Sequence, residues 1–168
     1  MNNHRFIFLI LAVTLLSLLS CKEVPETTSE KIDALKHQVE SDAMTLQNIE
    51  NRDFTLLRDD FRYCDSMLQF LDSEQVDAGF EKLNITQAYL QQFVEVKPIM
   101  VSKMNYVIVQ LDNLKADLVS QYVNDSLALV YLADESRVAD TLHEQVLYFQ
   151  DRFGKCQSEL NTLKKSWK

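Results

Sequence analysis

Residues 142–167 read LHEQVLYFQDRFGKCQSELNTLKKSW. Within them Leu142, Val146, Phe149, Phe153, Cys156, Leu160, Leu163 and Trp167 recur at steps of 4-3-4-3-4-3-4. An α-helix turns once in about 3.6 residues, so alternating steps of three and four keep all eight side chains on one stripe. A strand would need steps of two. The stretch therefore predicts one long helix, and its preceding two heptads extend it, less regularly, back to Asn124-Asp125-Ser126, a run of good N-cap residues. Helix three is predicted over about 126–166.

The same spacing recurs upstream. Ile32, Leu35, Val39, Leu46 and Ile49 make a seam in which Asp42 holds one position, and Phe54, Leu57, Phe61, Cys64, Leu68 and Leu71 make a second. The two are out of phase by one residue near Asn51-Arg52-Asp53, which predicts a kink or break there, with Asp53 as a new cap. A second apolar line of Leu56, Tyr63, Met67 and Phe70 predicts a wider buried face. Thr27-x-x-Glu30 has the form of a capping box, so helix one is predicted over about 29–71. Asp72 to Gly79 reads as a turn. Helix two then runs to about 122, with Phe80, Leu83, Leu90 and Val94 as its early seam and Met100, Met104, Val107, Leu111, Leu114 and Leu118 as its later one. Pro98 lies between them and predicts a kink or break at Val96-Lys97.

Two glycines and two prolines in 168 residues leave little material for tight turns. Phosphate loops, dinucleotide fingerprints and nucleophile elbows all require glycines that are absent, and all-β folds need many turns. The predicted class is all-α. Three helices of similar length predict an elongated antiparallel three-helix bundle; a break at either kink gives instead a shorter bundle of four or five helices. The division of the chain is then 1–20, 21–28 as a tether, and 29–168 as the helical domain.

Residues 1–20 follow a different pattern. His4 and Arg5 precede an apolar run from Phe6 to Leu19, broken by Thr14 and Ser17, which ends at Leu18-Leu19-Ser20-Cys21. The run is shorter than the ~20 residues that span a bilayer as a helix. This segment resembles a bacterial lipoprotein signal peptide with its lipobox, Leu18 being the large aliphatic residue and Ser20 the small one before the cysteine. The resemblance implies cleavage before Cys21, a diacylglyceryl thioether on its sulfur and acylation of its amine. The membrane is then one partner, held through fatty chains at Cys21. Lys22 stands where an aspartate would favour retention in the inner membrane, so the resemblance implies the outer membrane before the inner. Cys21-Lys22-Glu23 also resembles a surface-export signal.

Residues 1–20 contain one basic side chain and no acid, so from Cys21 onward 16 basic face 25 acidic side chains, a net of −9. An acidic body repels phosphate backbones, and no nucleic-acid partner is expected. No cofactor is expected. No metal site is expected either: aligning helices one and three through Cys64 and Cys156 places His37 and His143 far apart, and neither stands in a metal-binding motif. Asp59-Asp60 and Asp134-Glu135 read as solvated neighbours rather than an acid–base pair. Met100, Met104 and Tyr106 near the proline read as core before a ligand pocket. The chain is therefore expected to have no catalytic residues.

Two sequence features leave alternatives open. Cys64 and Cys156 sit on seams near one end of the bundle, and form either a disulfide or two separate buried thiols. Ser126 to Ala133 contains seven apolar residues in succession, more than one buried stripe needs. Leu127, Leu129, Val130, Tyr131 and Leu132 are either buried by neighbours on both sides or exposed as an interaction patch. The expected function is protein–protein interaction or structural tethering by a lipid-anchored envelope protein with an envelope partner. The alternative is an inhibitor or immunity-type lipoprotein that binds an exogenous protein.

Overall fold

The computed structural model describes residues 27–167, and every described element is helical. The first is α1 (Thr28–Asn48). Its capping box forms as the sequence predicts: the Thr27 hydroxyl accepts from the Glu30 N–H, and the Glu30 carboxylate accepts from the Thr27 N–H at 2.7 Å. That bond, chiefly, holds the Glu30 carboxyl below its ordinary range.

The phase slip is absorbed without a break. Ile49–Phe54 is a π-helical segment between α1 and α2 (Thr55–Met67), and its flanking backbone stays right-handed helical. A π turn holds one more residue than an α turn, so the seam resumes five residues after Ile49, at Phe54. Asp53 caps nothing; its carboxylate accepts from Arg52 at 2.8 Å. A 3₁₀ turn at Leu68–Phe70 ends this first rod.

The turn that follows is shorter than predicted. Asp72 accepts from the Gln75 N–H at 2.9 Å and opens α3 (Ser73–Val119). This helix continues through Pro98. The lost hydrogen bond at Pro98 is tolerated at an exposed position, and no break occurs at Val96-Lys97. The arrangement of four or five short helices is thus not adopted. α3 ends earlier than predicted, because Gln121 takes a left-handed φ of 59° and the Tyr122 N–H turns back to the Asp117 carbonyl. Asn124 then accepts from the Leu127 N–H at 3.0 Å and opens α4 (Asp125–Ser166).

Cross-contacts fix the relative directions. Asp33 and Lys36 of α1 pair with Lys115 and Asp112 of α3, each at 2.6 Å, and Glu50 pairs with Lys97. Numbers rise along one helix as they fall along the other. Asp42 meets His143 at 2.8 Å, and Asp60 meets Lys164 at 2.7 Å; here both numbers rise together.

All eight seam residues from Leu142 to Trp167 face inward; seven are buried and Trp167 is partly so. The later seam of α3 is buried from Met100 to Leu114. Its early seam differs from the expectation. Phe80 and Val94 are exposed, and the buried line runs through Leu83, Thr86, Leu90 and Phe93. Stepping back from Met100 by seven gives Phe93, so the later seam's phase holds across Pro98. The wider face predicted for the first rod is also absent: Leu56, Tyr63 and Phe70 are exposed. Two neighbouring helices cover one stripe, and none is left to cover a second.

The middle of the core is aromatic. Phe93 packs against Phe54 at 5.5 Å and against Phe149 and Phe153, each at 5.1 Å. At one end Trp167 lies over Gly79, where a Cβ would stand 2.4 Å from its ring. This close approach is why the helix carries glycine there.

Candidate functional site

The candidate site is the end of the bundle where the chain enters α1. The entry at Thr27 sits beside the α3–α4 connection, since Asp33 pairs with Lys115, four residues before the end of α3. The seven-residue apolar run opens here. Ala128 and Leu132 are buried, whereas Leu127, Leu129, Val130 (57%) and Tyr131 are exposed. Leu127, Val130 and Tyr131 stand three and four apart and share one outer face. α4 starts at the tip, so neighbours cover only its inner stripe.

Two residues that the sequence did not single out are exposed at this end: Val119 stands one turn beyond Lys115, on the side of α3 toward α1, and Tyr122 stands at the tip. Val119 is 74% exposed and Tyr122 84% exposed. The left-handed Gln121 turns the backbone so that the Tyr122 N–H reaches the Asp117 carbonyl. A C-terminal cap of this kind usually packs its following apolar residue back on the helix. Tyr122 is left in solvent instead.

Beside the patch lies a concavity of about 390 Å³ lined by Gln110, Asn113, Asp117, Tyr131, Asp134 and Glu135, among others. Glu135 continues the seam spacing of Ala128, Leu132 and Ala139, so its carboxylate is drawn inward. Burial first, then Asp134 beside it, pushes its carboxyl above the ordinary range. Its Oε2 is shielded and has no hydrogen-bond partner among the described residues. Asp134 itself pairs with Arg137 on the surface.

A second polar feature lies deeper. Asp42 occupies its predicted seam position and is only 6% exposed. Its Oδ1 accepts from His143 Nδ1 at 2.8 Å, and its Oδ2 meets no partner among the described residues. The carboxylate fixes the imidazole with Nε2 directed away from it. The pair has the orienting half of a catalytic or metal-binding histidine. Among the described residues no group of three metal-ligating side chains comes together.

A third feature is a groove of about 410 Å³ where the π segment faces the proline, lined by Glu50, Phe54, Phe93, Val94, Lys97, Pro98 and Val101. Met100 and Met104, considered as a ligand pocket, are fully buried core, and Tyr106 is exposed.

The two cysteines are buried and free. Cys64 Sγ donates toward the Leu160 carbonyl, 3.9 Å away. Leu160 is one turn beyond Cys156, about 6 Å along the axis. The sulfurs therefore lie at different levels and no disulfide joins them. Burial pushes both thiols above their ordinary range; at Cys156 a hydrogen bond with Thr86 opposes it.

Cys21 and the rest of the lipobox-like segment lie outside the described residues. Among the described residues no helix is long and apolar enough to cross a membrane. Comparison with protein-family models, with curated proteins and with solved structures finds no match.

Proposed function

We propose that this chain is a lipid-anchored helical protein of the bacterial envelope that acts by tethering and protein–protein interaction. The observation that carries this reading is the position of Cys21. It ends the apolar run and stands seven residues before Thr28, the first residue of α1. Fully extended, that link reaches about 25 Å. Fatty chains on Cys21 would hold the body against the membrane, the outer membrane by the absence of an aspartate after the cysteine. More than one acyl chain makes such anchoring stable.

The body is an elongated antiparallel three-helix bundle of roughly 60 Å, supported by the paired directions above and the 1.5 Å rise per residue. Such a rod offers long side faces for a partner. The groove at Phe54, Val94 and Pro98 is one concave part of those faces.

Metabolic labelling with a palmitate analogue tests the anchor. Incorporation is expected in the native chain and lost in Cys21→Ala; a native chain that takes up no label overturns it. Crosslinking in cells from position 94 tests the interaction. A resident envelope protein is expected among the products. The excess of 25 acidic over 16 basic side chains from Cys21 onward favours a second reading, an inhibitor or immunity-type lipoprotein for a basic exogenous protein. Capture of such a protein in place of an envelope component would decide for it.

A further inference from the structure

We propose that the anchor-proximal end of the bundle is itself a bilayer-contacting surface. Tyr122, Leu127, Val130 and Tyr131 would rest in the headgroup region. The inference builds on the anchoring of Cys21 proposed above. Three observations select the bilayer as occupant. The first is position. Only residues 22–27 separate Cys21 from α1, and α1 starts at the end that carries the patch. A link of at most about 25 Å holds this end, and not the Trp167 end, within reach of the membrane.

The second is chemistry. The patch combines aliphatic side chains with two tyrosines, one of them 84% exposed at the tip. Tyrosine rings prefer the membrane–water boundary, where the ring is apolar and the hydroxyl wet. Leu127, Val130 and Tyr131 span one turn of α4, about 6 Å along its axis. Interfacial helices bury their apolar faces by 5–10 Å. A tilt of the rod toward this face immerses the stripe while the side groove stays in water.

The third is charge. The flank of the patch holds Asp117, Asp125, Asp134 and Glu135 against Arg137, which pairs with Asp134, and Lys31 at the start of α1, while the nearby Lys115 is engaged by Asp33; acids remain in excess. An anionic leaflet would repel this end. The ammonium groups of zwitterionic lipids would not, and they complement the carboxylates. The surface thus fits a neutral leaflet rich in ethanolamine or choline headgroups.

Depth-dependent fluorescence quenching tests this on the full chain. Trp167 is the single native tryptophan and lies at the far end, about 60 Å from the patch. The native chain and a Tyr122→Trp/Trp167→Phe variant are reconstituted in phosphatidylethanolamine–phosphatidylcholine vesicles carrying acyl-brominated phosphatidylcholine. Emission from position 122 is expected to fall at least twofold, and emission from position 167 to stay within a tenth. Replacing part of the neutral lipid with phosphatidylglycerol is expected to weaken the quenching at 122. Equal quenching at both positions, quenching at neither, or a chain that does not float with the vesicles overturns the proposal. So does an unquenched position 122 that crosslinks to a protein. Mass measurement of the same sample separates the anchor from the docking. Quenching at 122 without lipid on Cys21 removes only the anchor; lipid on Cys21 without that quenching removes only the docking.

Discussion

Asp42 puts a carboxylate where the seam of α1 otherwise carries aliphatic side chains. His143 satisfies one oxygen and nothing among the described residues satisfies the other. Removing one partner of such a pair leaves a buried polar group uncompensated, whereas replacing the buried group with an apolar one relieves its desolvation. His143→Ala is therefore expected to lower stability by about 1–3 kcal/mol, and Asp42→Leu to raise the denaturation midpoint. Urea unfolding of both variants checks this, and a loss of stability in both would show that the carboxylate contributes net attraction. The seam position of Asp42 was legible in the sequence, but its partner was not. Alignment through the cysteines matched residues 92 apart, while Asp42 and His143 are 101 apart and Cys64 and Leu160 are 96 apart. Periodicity fixes which side of a helix faces inward, not how far one rod slides along another. Gln121 is a second residue with a local cost. An L-residue in the left-handed region is disfavoured by about 1–2 kcal/mol, which glycine avoids. Gln121→Gly is expected to stabilise the fold by about 1 kcal/mol in the same assay, and a neutral result would mean that Gln121 makes compensating contacts.

At the scale of elements, the sequence located the irregularity near Asn51-Asp53 but not its form. A one-residue phase slip is compatible with a break, a kink or a π turn. The π turn keeps the backbone helical and hydrogen-bonded. The missed seam at Phe93 has a related cause: Phe80, Val94 and Ile99 are as apolar as the buried set, so composition gave two stripes where packing uses one. Likewise the apolar run in α4 left burial and exposure open, because exposure depends on where α4 starts relative to its neighbours. The inserted residue gives a test. Deleting Asn51 should convert the π turn to an α turn and keep both seams facing inward. Deleting Ser41, inside α1, should rotate everything before it by about 100°. Circular dichroism and thermal unfolding are expected to show native helicity and cooperativity for the first deletion and a large loss for the second. Equal damage from both would mean that the π segment is not the compensating element.

At the scale of the whole molecule, polar interruptions of the core sit at different levels of one rod. Glu135 lies near the patch end, Asp42 further along, the phenylalanine cluster in the middle, and Thr86, Cys156 and Cys64 toward the Trp167 end. The two thiols give this arrangement a pH signature. Burial raises both above the ordinary 9.0 for a thiol, so the folded state holds these protons more tightly than the unfolded chain. Their contribution is fully present below about pH 9 and is lost as pH rises through the folded-state values. Glu135 has the same sign in a lower window: its contribution is present below about pH 4.5 and lost above it, so at neutral pH its charge is a cost. Stability is therefore expected to fall more steeply as pH rises above about 9 in the native chain than in a Cys64→Ala/Cys156→Ala variant. Because the double variant also loses packing, the comparison is one of slopes, not of midpoints. Parallel curves from urea unfolding at each pH would show that the thiols titrate alike in both states. Glu135→Gln supplies the matching test on the acid side: a gain at pH 7 that shrinks as pH falls toward about 4.5 follows from its inward placement, and a gain independent of pH would assign it to something other than charge.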